Sequence, residues 1–554
     1  MAISNKQYEE KLKELREKEI EDLAKILAQK YGLRYADLTK MAIDLDALKI
    51  IPEGDSREGK MAAFQIIGKK ISIGVLNPGL LKTKYVLETL DRRGFAPDLF
   101  VVSELSLARA WLKYKEIPVF VEIKSGMVEI PEGKLSKFKE EINSLQSFQK
   151  ILSERLEAKE KSEISELLEL VLAGGLNLDS SDIHIEPEEK KAGLRIRLDG
   201  ILYPVAYFPN DIYKLLISRI KLVSELKLNV KDRAQDGRFT FRAGETDIEI
   251  RTSILPGPYG ESASLRILNP KTIGLNFENL GMNPVFLEIM DRELKKPNGM
   301  ILTTGPTGSG KTTTLYAFLK KIKGPDIKII TIEDPIEYHI QGITQTQVDP
   351  GRGYDFTKGL RSVLRQDPDA ILIGEIRDLE TAETALRAAL TGHLVFSTLH
   401  TNDAPGVIPR LIDLGAKPPI IAPAINIAMA QRLVRQLCKY CRKEKKPDSK
   451  EKKMIEENLE KIPAKYKKEI SREFAVFEPA GCEKCVAGYK GRIGIFEAIL
   501  IDNEVEKLIM KGPSEADMRE FLKKQEMLTM FEDGILKILK GLTSFEEVVR
   551  VVGV

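Results

Sequence analysis

Hydrophobic and polar positions change rhythm several times along the chain. Up to about residue 125, helical patterns alternate with short apolar runs such as Lys69-Lys70-Ile71-Ser72-Ile73-Gly74-Val75 and Leu99-Phe100-Val101-Val102, which predicts a small α/β module. Residues 126–163 form a linker that from about Lys134 to Glu163 is polar and charge-mixed (KLSKFKEEINSLQSFQKILSERLEAKEKSE), the pattern of a helical segment with solvated faces. Residues 164–275 open with an apolar helix pattern at 167–172. They continue as two-residue alternations at Leu194-Arg195-Ile196-Arg197-Leu198, Phe239-Thr240-Phe241 and Asp247-Ile248-Glu249-Ile250, which predicts an α+β module. From about Met300 the order becomes strand, loop, helix. Strand runs at 300–304, 327–332, 370–373 and 394–397 alternate with helices at 312–322 and 380–390. Such alternation implies a mostly parallel sheet with helices on both faces. After about Leu500 the pattern is helical to the end.

The length of 554 residues suggests three or four domains. A hydrophobic fraction of 43% is ample for packed cores. Lys and Arg number 86 against 83 Asp and Glu, a net charge of +3, so bulk charge does not indicate a nucleic-acid surface. No uninterrupted apolar run reaches eighteen residues, and the N-terminal MAISNKQYEEKLKELREKEIEDLAKIL has no signal-peptide core. Cytoplasmic residence is therefore expected. The four cysteines fall in two pairs, Cys438-x-x-Cys441 and Cys482-x-x-Cys485. In a reducing compartment four thiolates match the tetrahedral demand of structural Zn²⁺, with a redox dithiol or buried free thiols as the alternatives. The charged insert between them, KEKKPDSKEKKMIEENLEKIPAKYKKE, is expected to be a solvated hairpin of helices that leaves the two pairs adjacent.

The stretch Gly305-Pro306-Thr307-Gly308-Ser309-Gly310-Lys311-Thr312, followed by Thr313, matches the phosphate-loop pattern G-x-x-x-x-G-K-[ST] between a strand and a helix. Its glycines let successive N–H groups turn inward around a phosphate, and the helix N-terminus adds partial positive charge. Lys311 would reach the β- and γ-phosphates of ATP, and Thr312 would place its hydroxyl on Mg²⁺. Carboxylates end two neighbouring strands, in Ile330-Thr331-Ile332-Glu333-Asp334-Pro335 and Ile371-Leu372-Ile373-Gly374-Glu375-Ile376-Arg377. We assign Glu333 to the attacking water and Glu375 to the Mg²⁺ neighbourhood, roles that are interchangeable at this stage. His393 and His400 flank the run 394–399, where a neutral imidazole could sense a γ-phosphate, or serve only structure. In the second module Arg233, Arg238, Arg251 and Arg266 are candidates to neutralise charge on a nucleotide held by a neighbouring subunit, with local ion pairing as the alternative.

Four blocks together carry a resemblance: GPTGSGKTTTLY at Gly305, TIEDPIEY at Thr331, LRSVLRQDPDAILIGEIRD at Leu360 and TGHLVFSTLHTNDA at Thr391. With SSDIHIEP at Ser180, LDGIL at Leu198, QDGRF at Gln235 and GYKGRIGIFE at Gly488, the chain resembles the secretion ATPases of the pilus-assembly and type II secretion kind. The resemblance implies a RecA-like P-loop core at 276–435, preceded at 164–275 by a PAS-like α+β domain that supplies trans-acting arginines, Arg238 and Arg251 among them. It further implies a zinc subdomain at 436–490, a helical part at 491–554 and an N-terminal docking module at 1–125. The implied behaviour is that of a cytoplasmic homohexameric ATPase at the inner membrane, using ATP, Mg²⁺ and structural Zn²⁺. It would act on a membrane platform protein to add pilin or pseudopilin subunits to a filament, with Glu333 as catalytic glutamate. Shorter retraction ATPases generally lack the tetracysteine segment and the long N-terminal region, so extension or secretion is favoured. The first 125 residues resemble the family's N-terminal domain through KYGLRYADL, LKIIPEG and ISIGVLNP, without a clear pair of the glycine motifs that bind cyclic di-GMP in some relatives. Docking to a membrane partner is the expected use of this module. Two other functional classes share parts of this pattern. A nucleic-acid translocase is disfavoured by charge and by the lack of a DNA-binding motif, and a non-hydrolysing scaffold by intact Lys311, Thr312, Glu333 and Glu375.

Overall fold

Each apolar rhythm of the sequence becomes a sheet in the computed structural model, which describes residues 2–92, 94–116, 126–157, 164–269, 274–467 and 474–553. The chain forms two units, Met1–Ile123 and Lys124–Val554. In the first, strands Arg34–Tyr35, Ala96–Val101, Lys70–Val75 and Met61–Ile67 lie side by side in that order. One apolar cluster contains Ile51, Ile71, Ile73 and Val86, and a second contains Leu38, Phe64, Val102 and Leu107. This is the α/β module expected there.

The second unit begins with a seven-stranded sheet in the order Met127–Ile130, Gln235–Ala243, Thr246–Gly257, Gly260–Leu268, Asp182–Pro187, Lys191–Leu198 and Ile201–Pro209. Strict alternation buries Ala192, Leu194, Ile196 and Leu198 in one core with the helices Ile164–Asn177 and Asn210–Val223.

The expected solvated linker at 126–163 is corrected here. Met127–Ile130 is an edge strand parallel to Gln235–Ala243, and the helices Glu132–Glu141 and Leu145–Glu157 bury Leu135, Phe138, Phe148 and Leu152 in the same core. Phe148 packs so closely on Gly174 that a Cβ there would lie 2.3 Å from its ring. Residues 158–163 fall outside the described residues.

A second seven-stranded sheet positions the site. Its strands are β1 (Gly299–Thr304), β2 (Ile329–Glu333), β3 (Thr344–Gln347), β4 (Ala370–Ile373), β5 (Leu394–Leu399), β6 (Ile425–Leu437) and β7 (Tyr489–Leu500). The order is β3-β2-β4-β5-β1-β6-β7, parallel throughout except for β7. All six residues of β1 are buried, as a central parallel strand covered on both faces requires. Later strands lie on both sides of β1, so the crevice beyond its carboxyl end is a topological switch point.

β6 and β7 run on past that end as a two-stranded ribbon, in which Arg435 faces Arg492 and Leu437 faces Tyr489. Residues 491–500, expected in the helical tail, therefore belong to this sheet. The helices Asn503–Ile509, Glu515–Lys524, Met530–Leu539 and Phe545–Val552 follow. The charged insert also differs from expectation. Among the described residues it holds one α-helix, Ser449–Lys461, closed by an Asp448/Glu451 capping box. A short ribbon of Lys443–Lys445 with Val476–Glu478 closes its base, and that ribbon, not a helical hairpin, draws the two cysteine pairs together.

Candidate nucleotide-binding site

The loop leaving β1 is built on glycines that other residues would strain. Gly305, Gly308 and Gly310 have φ of +145°, +79° and +87°. A Cβ on Gly305 would lie 2.6 Å from the Gln431 carbonyl and 2.7 Å from Ser309 Oγ. Gly310 is the N-cap of the helix Lys311–Ile322 and offers no side-chain cap, which leaves the first N–H groups of that helix free for a ligand. Ser309 Oγ is buried without a hydrogen-bond partner. Pro306, Thr307 and Gly308 form the exposed rim, while Thr312 and Thr313 are half-buried in the first helical turn. Orphaned donors around a glycine cradle fit a polyphosphate.

Lys311 donates to the carbonyls of Gly305 (2.6 Å) and Pro306 (3.1 Å), folded back over its own loop. Burial pushes its ammonium pKa below the ordinary lysine value; Glu375 opposes that and the Arg432 guanidinium adds to it.

Glu375 follows β4 and pairs with Arg377, and its Oε2 lies 3.3 Å from His400 Nε2. Burial alone would raise this carboxyl, yet Arg377 and His400 hold it below the usual glutamate range. Two bonds fix the segment. Thr398 Oγ1 donates to Gly374 O (2.7 Å) and Ile376 N to Thr398 O (3.0 Å). On the other side of β5, Thr304 Oγ1 donates to Leu399 O and accepts from Thr401 N, which ties the loop after β5 to the phosphate-loop strand. The structure thus brings Lys311, Glu375 and His400 together.

Glu333, at the end of β2, is more enclosed. It is 3% exposed, and its oxygens accept from Tyr316 OH, Thr331 Oγ1 (2.5 Å) and Gln345 Nε2 (3.1 Å). Burial and the neighbouring carboxylate push the Tyr316 phenol far above its usual pKa, so it stays a donor at any working pH.

His393 is not brought to the site. It precedes β5 at the end opposite the phosphate loop, and its Nδ1 lies 3.1 Å from Ala388 O at the C-terminus of the preceding helix. An imidazole there has a structural partner and no path to a γ-phosphate, because the length of β5 intervenes.

Arg238 and Arg251 face each other on adjacent strands. Arg251 bonds to Glu249 (3.3 Å), Glu337 (3.1 Å) and the Ile336 carbonyl of its own chain. Arg238 and Arg233 are exposed, and Arg266 pairs with Asp182 at 3.0 Å.

The sequence reading passed over Gln431 and Arg432 on β6, and Tyr316 and Gln345 beside Glu333. Gln431 is buried, accepts from Thr314 Oγ1 at 2.8 Å and abuts Gly310. Only strand register could have revealed it.

At the end of the ribbon the four thiols Cys438, Cys441, Cys482 and Cys485 lie within 4.8 Å of one another. The separations Cys438–Cys482 (3.9 Å), Cys441–Cys485 (3.6 Å) and Cys482–Cys485 (3.6 Å) match the edge of about 3.8 Å that ~2.3 Å Zn–S bonds give a tetrahedron. The residues fit structural zinc and show no disulfide geometry.

Residues 157–550 match the family model described as type II/IV secretion system protein. The chain is 37% identical over 534 residues, 95% of its length, to the type IV pilus assembly ATPase PilB of Thermus thermophilus, and spans 57% of that protein's length. It is 41% identical over 397 residues to the type II secretion system protein E of Klebsiella pneumoniae, covering 72% of this chain and 77% of that one. The solved ATPase DotB of Yersinia pseudotuberculosis shares the fold, with a TM-score of 0.51 at 20% identity over 70% of this chain and 93% of that chain.

Proposed function

The chain belongs to the type II/IV secretion ATPase family, and from that premise we propose that it is a cytoplasmic homohexameric motor whose ATP hydrolysis drives type IV pilus assembly through an inner-membrane platform protein. The observation that carries the reading is the meeting of Lys311, Glu375 and His400 around a glycine cradle with free helix N–H groups. A pilus is preferred over a secretion pseudopilus because the pilus-assembly relative matches 95% of this chain and the type II relative 72%.

In this RecA-like core, Lys311 exchanges its own loop carbonyls for phosphate oxygens and the cradle N–H groups hold the chain of phosphates. Mg²⁺, when bound, neutralises charge on the β- and γ-phosphates. Thr312 and Glu375 are the residues to hold it, directly or through water. Glu333 orients and deprotonates the attacking water once its oxygens are freed from Tyr316 and Thr331. His400, bonded to Glu375, lies where the loop after β5 registers a terminal phosphate. Arg238, exposed on the second module, supplies transition-state charge compensation to a neighbouring subunit. Zn²⁺ on the four thiolates fixes the end of the β6–β7 ribbon, whose other end carries Gln431 beside the cradle.

Among the described residues no helix is long and apolar enough to cross a membrane; in this reading attachment to the inner membrane runs through partners, and nucleic acid takes no part. The test is steady-state hydrolysis of ATP by the purified chain. Lys311→Ala should lower turnover at least about 100-fold, and added DNA or RNA should leave the wild-type rate unchanged. A rate that Lys311→Ala leaves intact would refute the site.

A further inference from the structure

Arg432 is a half-buried cation at the mouth of the phosphate loop that the loop motif does not account for. β6 runs parallel to β1 with Ala430 opposite Thr304, the last residue of β1. Arg432 therefore stands two residues beyond the end of β1, level with the start of the loop. A Cβ on Gly305 would lie 3.2 Å from its Nη1.

The guanidinium is held without being neutralised. Nη1 donates to Gln431 O at 3.2 Å and Nη2 to Asn402 O at 2.6 Å, both backbone carbonyls. Among the described residues it forms no ion pair. Burial pushes it below the ordinary arginine range, with Glu497 and Asp403 opposing from a distance. Two of its five N–H donors are used, so others are left for a ligand.

Arg435, three residues further along β6, shows how this fold treats a structural arginine. It pairs with Glu547 at 2.8 Å and lies over the Tyr489 ring at 3.9 Å from its centroid. A partly buried guanidinium without a carboxylate carries a desolvation cost that an incoming anion would offset. The planar fork also matches two phosphate oxygens better than an ammonium does.

We propose that Arg432 is a phosphate-binding residue of the chain's own site, its guanidinium contacting the polyphosphate beside Lys311. The inference rests on the nucleotide-binding reading above and adds a second side-chain cation to the cradle. It also gives the Asn402 contact a use. Arg432 spans β6 and the loop after β5, so a phosphate that draws the guanidinium inward changes the hold on that loop.

Equilibrium binding decides it, with no reliance on turnover. A fluorescent ATP analogue is titrated into wild type, Arg432→Gln, Arg432→Lys and Lys311→Ala, and then displaced by inorganic tripolyphosphate. Arg432→Gln should weaken both ligands about 10–100-fold, and Arg432→Lys about 5–10-fold, because it keeps charge but loses the fork. Melting temperature and bound zinc should stay near the wild-type values. Binding of both ligands within twofold of wild type by the folded variants would overturn the proposal. If Arg432→Gln does not fold, Arg432→Lys alone decides by the same criterion. Failure of the parent reading looks different: wild type and Lys311→Ala would then bind the analogue equally, or not at all.

Discussion

Glu333 is held by Tyr316, Thr331 and Gln345, and the phenol is the one of these donors carried on the helix that leaves the phosphate loop. Tyr316 lies on the helix that starts at Lys311, so any shift of that helix on binding phosphate alters its grip on the carboxylate. Tyr316→Phe should therefore change the rate of chemistry and not the affinity of the cradle. We expect a loss of about 1.5–3 kcal/mol in unfolding free energy, the range for a hydrogen bond to a charged group. Nucleotide affinity should stay within twofold of wild type while kcat changes at least severalfold. An altered affinity with unaltered kcat would place Tyr316 in binding instead. At this scale the sequence was legible where chemistry is local. The run from Gly305 to Thr313 carries its motif in consecutive residues, and Glu375 stands just past the strand end where the sequence puts it. Gln431 and Arg432 were not legible, because Gln431 meets Thr314 across 117 residues of chain and only the pairing of β6 with β1 sets that meeting. His393 was misplaced for the converse reason: adjacency in sequence to a useful strand does not say which end of it faces the ligand.

Elements repeat the lesson. β1, β2, β4 and β5 were readable as apolar runs between turns, because a doubly covered parallel strand is apolar throughout. Residues 126–157 were not, because their apolar positions form a narrow helical stripe among lysines and glutamates, and an edge strand of four residues leaves little pattern. Phe148→Ala separates the two descriptions. A packed, fully buried Phe148 predicts a loss of about 3–5 kcal/mol in urea unfolding, whereas a solvated linker predicts less than about 0.5 kcal/mol. β7 offers a second test through Glu497, which accepts from Ala404 N after β5 and from Met530 N at the start of the helix Met530–Leu539. Burial pushes its carboxyl from 4.5 up to about 7. The folded state then keeps a proton that the unfolded state loses, so stability falls as pH rises between those values and levels off above about 7. The slope is worth on the order of 3 kcal/mol. Glu497→Gln leaves one N–H without its acceptor at every pH but removes the slope, so variant and wild-type urea midpoints should converge from pH 5 to pH 8. A constant gap would show that Glu497 does not titrate there.

For the whole molecule the proposed ring makes a claim about which chain completes which site. Arg251 is engaged with Glu337 and the Ile336 carbonyl of its own chain, whereas Arg238, opposite it in register, is exposed and has no partner among the described residues. A ring that uses Arg238 across a subunit boundary makes a specific claim about mixtures. A Lys311→Ala chain has a dead cradle and an intact Arg238, and an Arg238→Ala chain has the reverse. Each alone should hydrolyse ATP poorly. Mixed in equal amounts before assembly, random rings would juxtapose an intact cradle with an intact arginine at about a quarter of the sites, so activity should recover to that order. If the arginine serves the cradle of its own chain, every site carries one defect and mixing recovers nothing. The readout is turnover per chain against mixing ratio, which should peak at equal amounts and vanish at either end. A flat line would return Arg238 to ordinary surface charge and leave Arg251, through Glu337, as the second module's link to the segment that follows Glu333.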